Sequence, residues 1–182
     1  KIESPQAMSL KKAEITLFQD WLGVGGNILG PDSGGQFGRA VACNHDGTRI
    51  IVGAYVFNSS QGKVIVYDWN GSGWTMVGNV LTGTATSAPS FGHSVAISGD
   101  GNIIAVTAPY EHVSGDADKG TVRVYYLVGA TWTILPDSGN FTDVTLTDVF
   151  VGATANDYLG YGGVKLSYDG KTILMAEHED DT

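Results

Sequence analysis

The chain has 182 residues, 42% of them apolar, and a formal net charge of -9; a chain of this length buries roughly 70% of its unfolded surface, so a genuine core is expected. Its 26 glycines, 10% aromatic and 16% charged residues describe tight turns and short strands rather than surface helices, which makes all-β the expected class. Ten scattered basic residues leave no footprint for a phosphate backbone, and no apolar run reaches the roughly eighteen residues of a membrane span, so no nucleic acid partner and no membrane span are expected.

Residues 1–12 show no repeat character and read as a leader or arm. From 13 to 30 come two short apolar runs, Ile15-Thr16-Leu17-Phe18 and Trp21-Leu22-Gly23-Val24, which match the third and fourth strands of the units that follow. The first complete unit, 31–83, opens on Phe37-Gly38. Residues 39–44 alternate up to the turn His45-Asp46-Gly47, and Ile50, Val52 and Ala54 climb away from it at period two. Asp-Gly between apolar runs is a strong hairpin signal, because glycine accepts positive φ and aspartate tolerates it. Cys43, in the first strand, reads as a small buried apolar residue. After a loop from Tyr55 to Gln61 come strand three, Val64-Ile65-Val66-Tyr67, and strand four, Trp74-Thr75-Met76-Val77.

The second unit, 84–159, repeats this order with Phe91-Gly92, the turn Gly99-Asp100-Gly101, then Ile104, Val106 and Ala108. A longer loop, 109–119, precedes Val122-Arg123-Val124-Tyr125 and Trp132-Thr133-Ile134-Leu135. Arg123 in place of Ile65 predicts a wetter face. Segment 136–158 exceeds its counterpart and, with Val144, Leu146 and 149–151, suggests an extra hairpin on one rim. From 160 to 182, Val164, Asp169-Gly170 and 172–176 match strands one and two, although Gly160-Tyr161-Gly162 fits the Phe-Gly start one residue out of step.

Each unit therefore reads as a four-stranded antiparallel meander of about 54 to 58 residues, and units of this size bury their apolar faces against one another. Arranged radially, such sheets are the blades of a β-propeller. The chain holds about three, one of them split between the N- and C-terminal segments. Because sheet edges must be paired, the expected partners are further blades of a longer chain or copies of itself, in a closed ring or an open head-to-tail assembly.

The order Phe-Gly, Asp-Gly, Gly-x-Val-x-Val-Tyr and Trp-Thr resembles the FG-GAP-type propeller repeat over about Ile15 to Glu177, and is similar to the integrin α-chain propellers. That resemblance implies a scaffold for adhesion or recognition of a protein or glycan ligand, at the cell exterior, the cell surface or the surface of a virion, and not a reaction. It also directs attention to the calcium loops of integrin-type blades. Asp116 and Asp118 occupy the corresponding loop, but a third carboxylate is missing and Lys119 would repel a cation, so a solvated acidic loop is the competing reading and no other cofactor is expected.

No nucleophile elbow, acid pair or Cys/His arrangement stands out, so catalytic residues are expected to be none. Asp46, Asp100 and Asp169 read as turn residues. Trp21, Trp74 and Trp132, at one per unit, read as core rather than as a sugar platform. Asn58, Asn70 and Asn140 head glycosylation sequons that carry meaning only in a protein secreted by a eukaryotic host. The sequence thus favours a non-enzymatic surface protein that joins copies through its split unit. Its alternatives are a structural subunit of a filament, appendage, cell coat or virion, and a fragment of a propeller enzyme acting on glycans.

Overall fold

The computed structural model describes residues 25–30, 33–84, 88–134 and 149–178; Ile15 to Val24, Asn140 and the core of the inserted segment lie outside them. The described residues form an all-β structure of antiparallel sheets. The first sheet contains β1 (Ala40–Cys43), β2 (Arg49–Ala54), β3 (Lys63–Trp69), β4 (Trp74–Met76) and β5 (Leu81–Thr82), in the order β1-β2-β3-β4 with β5 also on β3. Strand four is therefore longer than its sequence pattern. Met76 faces Tyr67, Val77 donates to the Val66 carbonyl at 2.9 Å, and Leu81 then faces Val64. The intervening residues bulge out, with Gly78 at φ 74°.

The second sheet repeats the plan with β6 (Val95–Ile97), β7 (Ile103–Ala108), β8 (Thr121–Val128), β9 (Thr131–Thr133) and β10 (Val149–Val151). Phe150 of β10 faces Val122 as Leu81 faces Val64. Residues 149–151 thus pair with strand three as the second leg of strand four, and Val144 and Leu146, the other part of the expected rim hairpin, lie outside the described residues. A third, two-stranded sheet pairs β11 (Val164–Leu166) with β12 (Ile173–Met175).

The Asp-Gly turns are built alike. Asp46, Asp100 and Asp169 each accept a backbone N–H two residues on, from Thr48, Asn102 and Lys171 at 3.0, 3.0 and 3.1 Å. Hydroxyls add to this: Thr48, Ser98 and Ser167 donate to the same carboxylates at 2.6 Å. These hydroxyl and then backbone bonds hold all three carboxyls below the usual aspartate range. A carboxyl depressed on folding contributes stability that is complete above its unfolded pKa and disappears as pH falls through the folded value. Thermal melts should therefore hold steady from neutral pH to mildly acid conditions and drop below about pH 4. The triple Asp→Asn variant should lose less on acidification; an unchanged acid slope would refute this origin.

The sheets stack face to face. In β7, Ile104, Val106 and Ala108 join Ile51, Val64, Val66 and Leu81 of the first sheet in one core, whereas Ala105 turns to the other side with Val122, Val124, Leu159 and Val164. The middle sheet is thus buried on both faces, which is why its strands are nearly continuous in apolar residues. In β1 the outer phase is open: Ala40 and Ala42 pack on the core, while Val41 and Cys43 are exposed. The expected burial of Cys43 is corrected accordingly, since the alternation places it on the free face.

The bond that closes each unit's start onto its own second strand recurs. The N–H groups of Gly38, Gly92 and Gly160 donate to Gly53, Thr107 and Ala176 at 3.0, 2.9 and 2.9 Å. The third unit therefore begins at Leu159-Gly160, and the one-residue offset in its sequence lies between Gly160 and Val164. Gly62 and Gly120 touch the backbones of Phe91 and Leu159 so closely that a Cβ at either would lie 2.6 Å from a backbone atom, the Phe91 nitrogen and the Leu159 oxygen respectively. Only glycine fits there.

Residues 25–30 repeat the same seat. A Cβ at Gly25 would meet Trp74 Cδ1 at 3.2 Å, as one at Gly78 would meet Trp132 Cδ1 at 2.6 Å; Gly30 stands to Phe37 as Gly83 does to Phe91, at 2.7 Å from Cβ in both. The segment 25–30 thus occupies, beside the first sheet, the place that 78–83 occupies beside the second.

At the other end an open recess of about 610 Å³ is lined by Val149, Phe150, Val151, Leu159, Met175 and Glu177. At the preceding junction the equivalent Leu81, Phe91, Val106 and Ala108 are buried together with Tyr125 and Trp132 of strands three and four. Among the described residues β12 pairs with β11 alone.

Candidate functional site

At the end of the strands opposite the Asp-Gly turns, three loops bring together Tyr110, Tyr158, Tyr161 and His178 around a cavity of about 230 Å³. Tyr110 meets Tyr158 and Tyr161 edge to face, with centroids 5.6 and 6.1 Å apart, and Tyr161 meets His178 in the same way at 5.4 Å. Behind them His93 stacks on Tyr161 at 5.2 Å and 24°, and Tyr55 packs edge-on against His93 at 5.4 Å. Burial, and secondarily the charge of Arg39, lowers the His93 pKa, so its ring is neutral at pH 7; its buried Nδ1 has no hydrogen-bond partner among the described residues. Burial also raises the Tyr110 phenol, helped by the neighbouring Tyr161 and Tyr158.

The backbone explains why these side chains converge. Gln36, Ser90 and Tyr158 hold the same place in the three units, at φ 52, 55 and 49°. Each accepts an N–H from the residue three further on, Arg39, His93 and Tyr161, at 3.2, 3.1 and 2.9 Å. A bulky aromatic in the left-handed region is an outlier that surrounding structure must enforce. Here the Tyr158 N–H donates to the Asp118 carbonyl at 3.0 Å, and just upstream the Asp157 carboxylate accepts from the Thr154 N–H and hydroxyl at 2.6 and 2.5 Å.

Asp118 is thereby placed as the counterpart of Ser60, whose carbonyl accepts the Ser90 N–H at 2.7 Å. Its carboxylate contacts His112 at 3.2 Å, and Asp116 pairs with Lys119 at 2.8 Å. The two carboxylates considered for calcium thus face different partners, and among the described residues no group of three or more His, Cys, Asp or Glu gathers to hold a metal ion. Asn58 and Asn70 are exposed, Asn58 in a left-handed turn at φ 49° and Asn70 with its Oδ1 bonded to the N–H of Ser72 and Gly73 at 3.0 and 2.9 Å. Asn140 lies outside the described residues.

The tryptophans divide. Trp132 is 2% exposed and its indole N–H donates to the Val77 carbonyl at 3.0 Å, so it is core between sheets. Trp74 is half-buried, tilted against Trp69 at 5.5 Å, and Trp21 lies outside the described residues.

Arg123 does not open a wetter face. Its Nη2 lies 2.5 and 2.7 Å from the two oxygens of Glu111, which is only 4% exposed and also accepts from the hydroxyls of Thr121 and Thr84 at 2.5 and 3.1 Å. Glu111 holds the position of Phe57: their carbonyls accept the N–H of Gly120 and Gly62 at 3.1 and 3.0 Å. One unit thus fills this place with Phe57 and Ile65, the next with a buried ion pair.

The aromatic residues were not singled out by motif, and each is unremarkable alone. Their signal appears when units are superposed: Tyr110, Tyr158, Tyr161 and His178 stand where the preceding junction has Val56, Ser90, His93 and Pro109. No protein-family model matches the chain, and no curated protein compared with it is significantly similar.

Proposed function

We propose that the chain is part of an array of FG-GAP-like propeller blades that acts by binding and not by catalysis, on an extracellular, cell or particle surface, with a protein or glycan as ligand. The observation that carries this is the contrast between scaffold and loops. Junction hydrogen bonds recur from unit to unit, whereas four positions on one loop face differ from their counterparts at the preceding junction and meet around a cavity. In a repeat protein, recurring residues serve the stack, and residues that diverge together at one spot serve that spot.

The test is to return the face to the pattern of its neighbour with Tyr110→Val, Tyr158→Ser, Tyr161→His and His178→Pro. Beads coated with the natural chain should attach to cell or matrix surfaces, and beads coated with the grafted chain should not, at unchanged secondary structure. Equal attachment by both would end the proposal.

The second reading, a structural subunit of a filament, coat or virion, is favoured by one feature. The recess beside β12 offers the seat of a third and fourth strand, and residues 25–30 hold the seat that follows such strands. In that reading copies of the chain complete one another's split blade, and joining is itself the function.

A further inference from the structure

We propose that the cavity between Tyr110, Tyr158, Tyr161 and His178 is a subsite for one neutral sugar ring. The inference deepens the recognition reading above and rests on it, but not on assembly between copies.

Size limits the occupant first. A cavity of about 230 Å³ is below the range that takes drug-sized ligands, and suits a single ring at the end of a larger molecule. Lining chemistry limits it next. Three phenols and an imidazole present flat apolar faces with hydroxyl and ring-nitrogen tips, the combination that serves a ligand apolar on one side and wet on the other. A pyranose has that character, with C–H groups on its face and hydroxyls at its rim.

Charge then separates the sugar from its rivals. The chain carries -9, and among the described residues no Lys or Arg lines the cavity, so a sulfated or carboxylated sugar meets repulsion without a compensating cation there. An alkylammonium ion could use the ring faces, but it would leave the phenol and imidazole tips unused, and among the described residues no carboxylate lines the cavity to neutralise it.

Preorganisation is the third element. Tyr161, although 42% exposed, is stacked on His93, and Tyr158 is held at φ 49° by the Asp118 carbonyl. The rings are therefore set before a ligand arrives, which lowers the cost of binding.

The experiment is saturation-transfer NMR on the natural chain with methyl glucoside, methyl galactoside, methyl mannoside and methyl fucoside, glucuronate as acidic control and tetramethylammonium as cationic control. At least one neutral glycoside should show transfer, strongest on the C–H protons of one face, with a Kd on the order of millimolar for a single ring. Tyr161→Ala should abolish transfer. Tyr110→Phe, which keeps shape and removes one hydroxyl, should weaken it several-fold and secures the result if the alanine variant folds poorly. Absence of transfer from every neutral glycoside, transfer unchanged in both variants, or a response to tetramethylammonium or glucuronate alone would overturn the proposal. Attachment of coated beads together with no glycoside signal would sink this inference and leave the recognition reading standing.

Discussion

Arg123→Ile should cost about 3 to 5 kcal/mol of folding stability, because it leaves a buried carboxylate without its cation. Glu111 is 4% exposed, and besides Arg123 its partners among the described residues are the hydroxyls of Thr121 and Thr84. The first unit supplies the control within the same molecule: Phe57 and Ile65 fill the equivalent places. The double variant Glu111→Phe with Arg123→Ile should therefore recover more than half of the loss, since replacing both members of a buried pair by apolar residues is often neutral. Urea unfolding of the two single variants and the double one forms the cycle. Additive losses would mean that the pair is not coupled.

Phe91→Ala should cost a similar amount, about 3 to 5 kcal/mol, from lost transfer energy and a cavity that its neighbours cannot close. Phe91 is 0% exposed, edge-on to Tyr125 at 6.3 Å and seated on Gly62 and Gly83. Its counterpart Phe37 makes the same contact with Tyr67 at 6.5 Å but is only half-buried. Phe37→Ala should cost less than half as much. Equal losses in chemical denaturation would show that burial at the junction does not set the scale.

Strands one to three of both complete units were legible because period-two patterns and Asp-Gly turns are local signals. The break in strand four was not, because the pattern of strand four ends at Val77 and nothing in Gly78 to Leu81 signals that a bulge carries the chain back onto β3. Cys43 was misplaced for a related reason. Val41 and Cys43 are themselves apolar, so the pattern cannot fix which phase of β1 faces the core. Arg123 looked like a wet position because its partner, Glu111, sits in a loop twelve residues away. The aromatic cavity stayed hidden because its members come from three loops; only the superposition of units marks Tyr110, Tyr158, Tyr161 and His178 as joint departures.

Among the described residues, one flank of β12 has no paired strand. The junction between the first and second sheets is closed by its own bonds, such as those from the N–H groups of Ser90 and Phe91 to the carbonyls of Ser60 and Gln61. Whatever strand lays itself along Ile173–Met175 and drops an aromatic beside Phe150 and Leu159 inherits a prepared socket. Among the described residues the free flank of β12 is thus an unpaired sheet edge, and an edge of this kind is also where an unintended guest would first take hold.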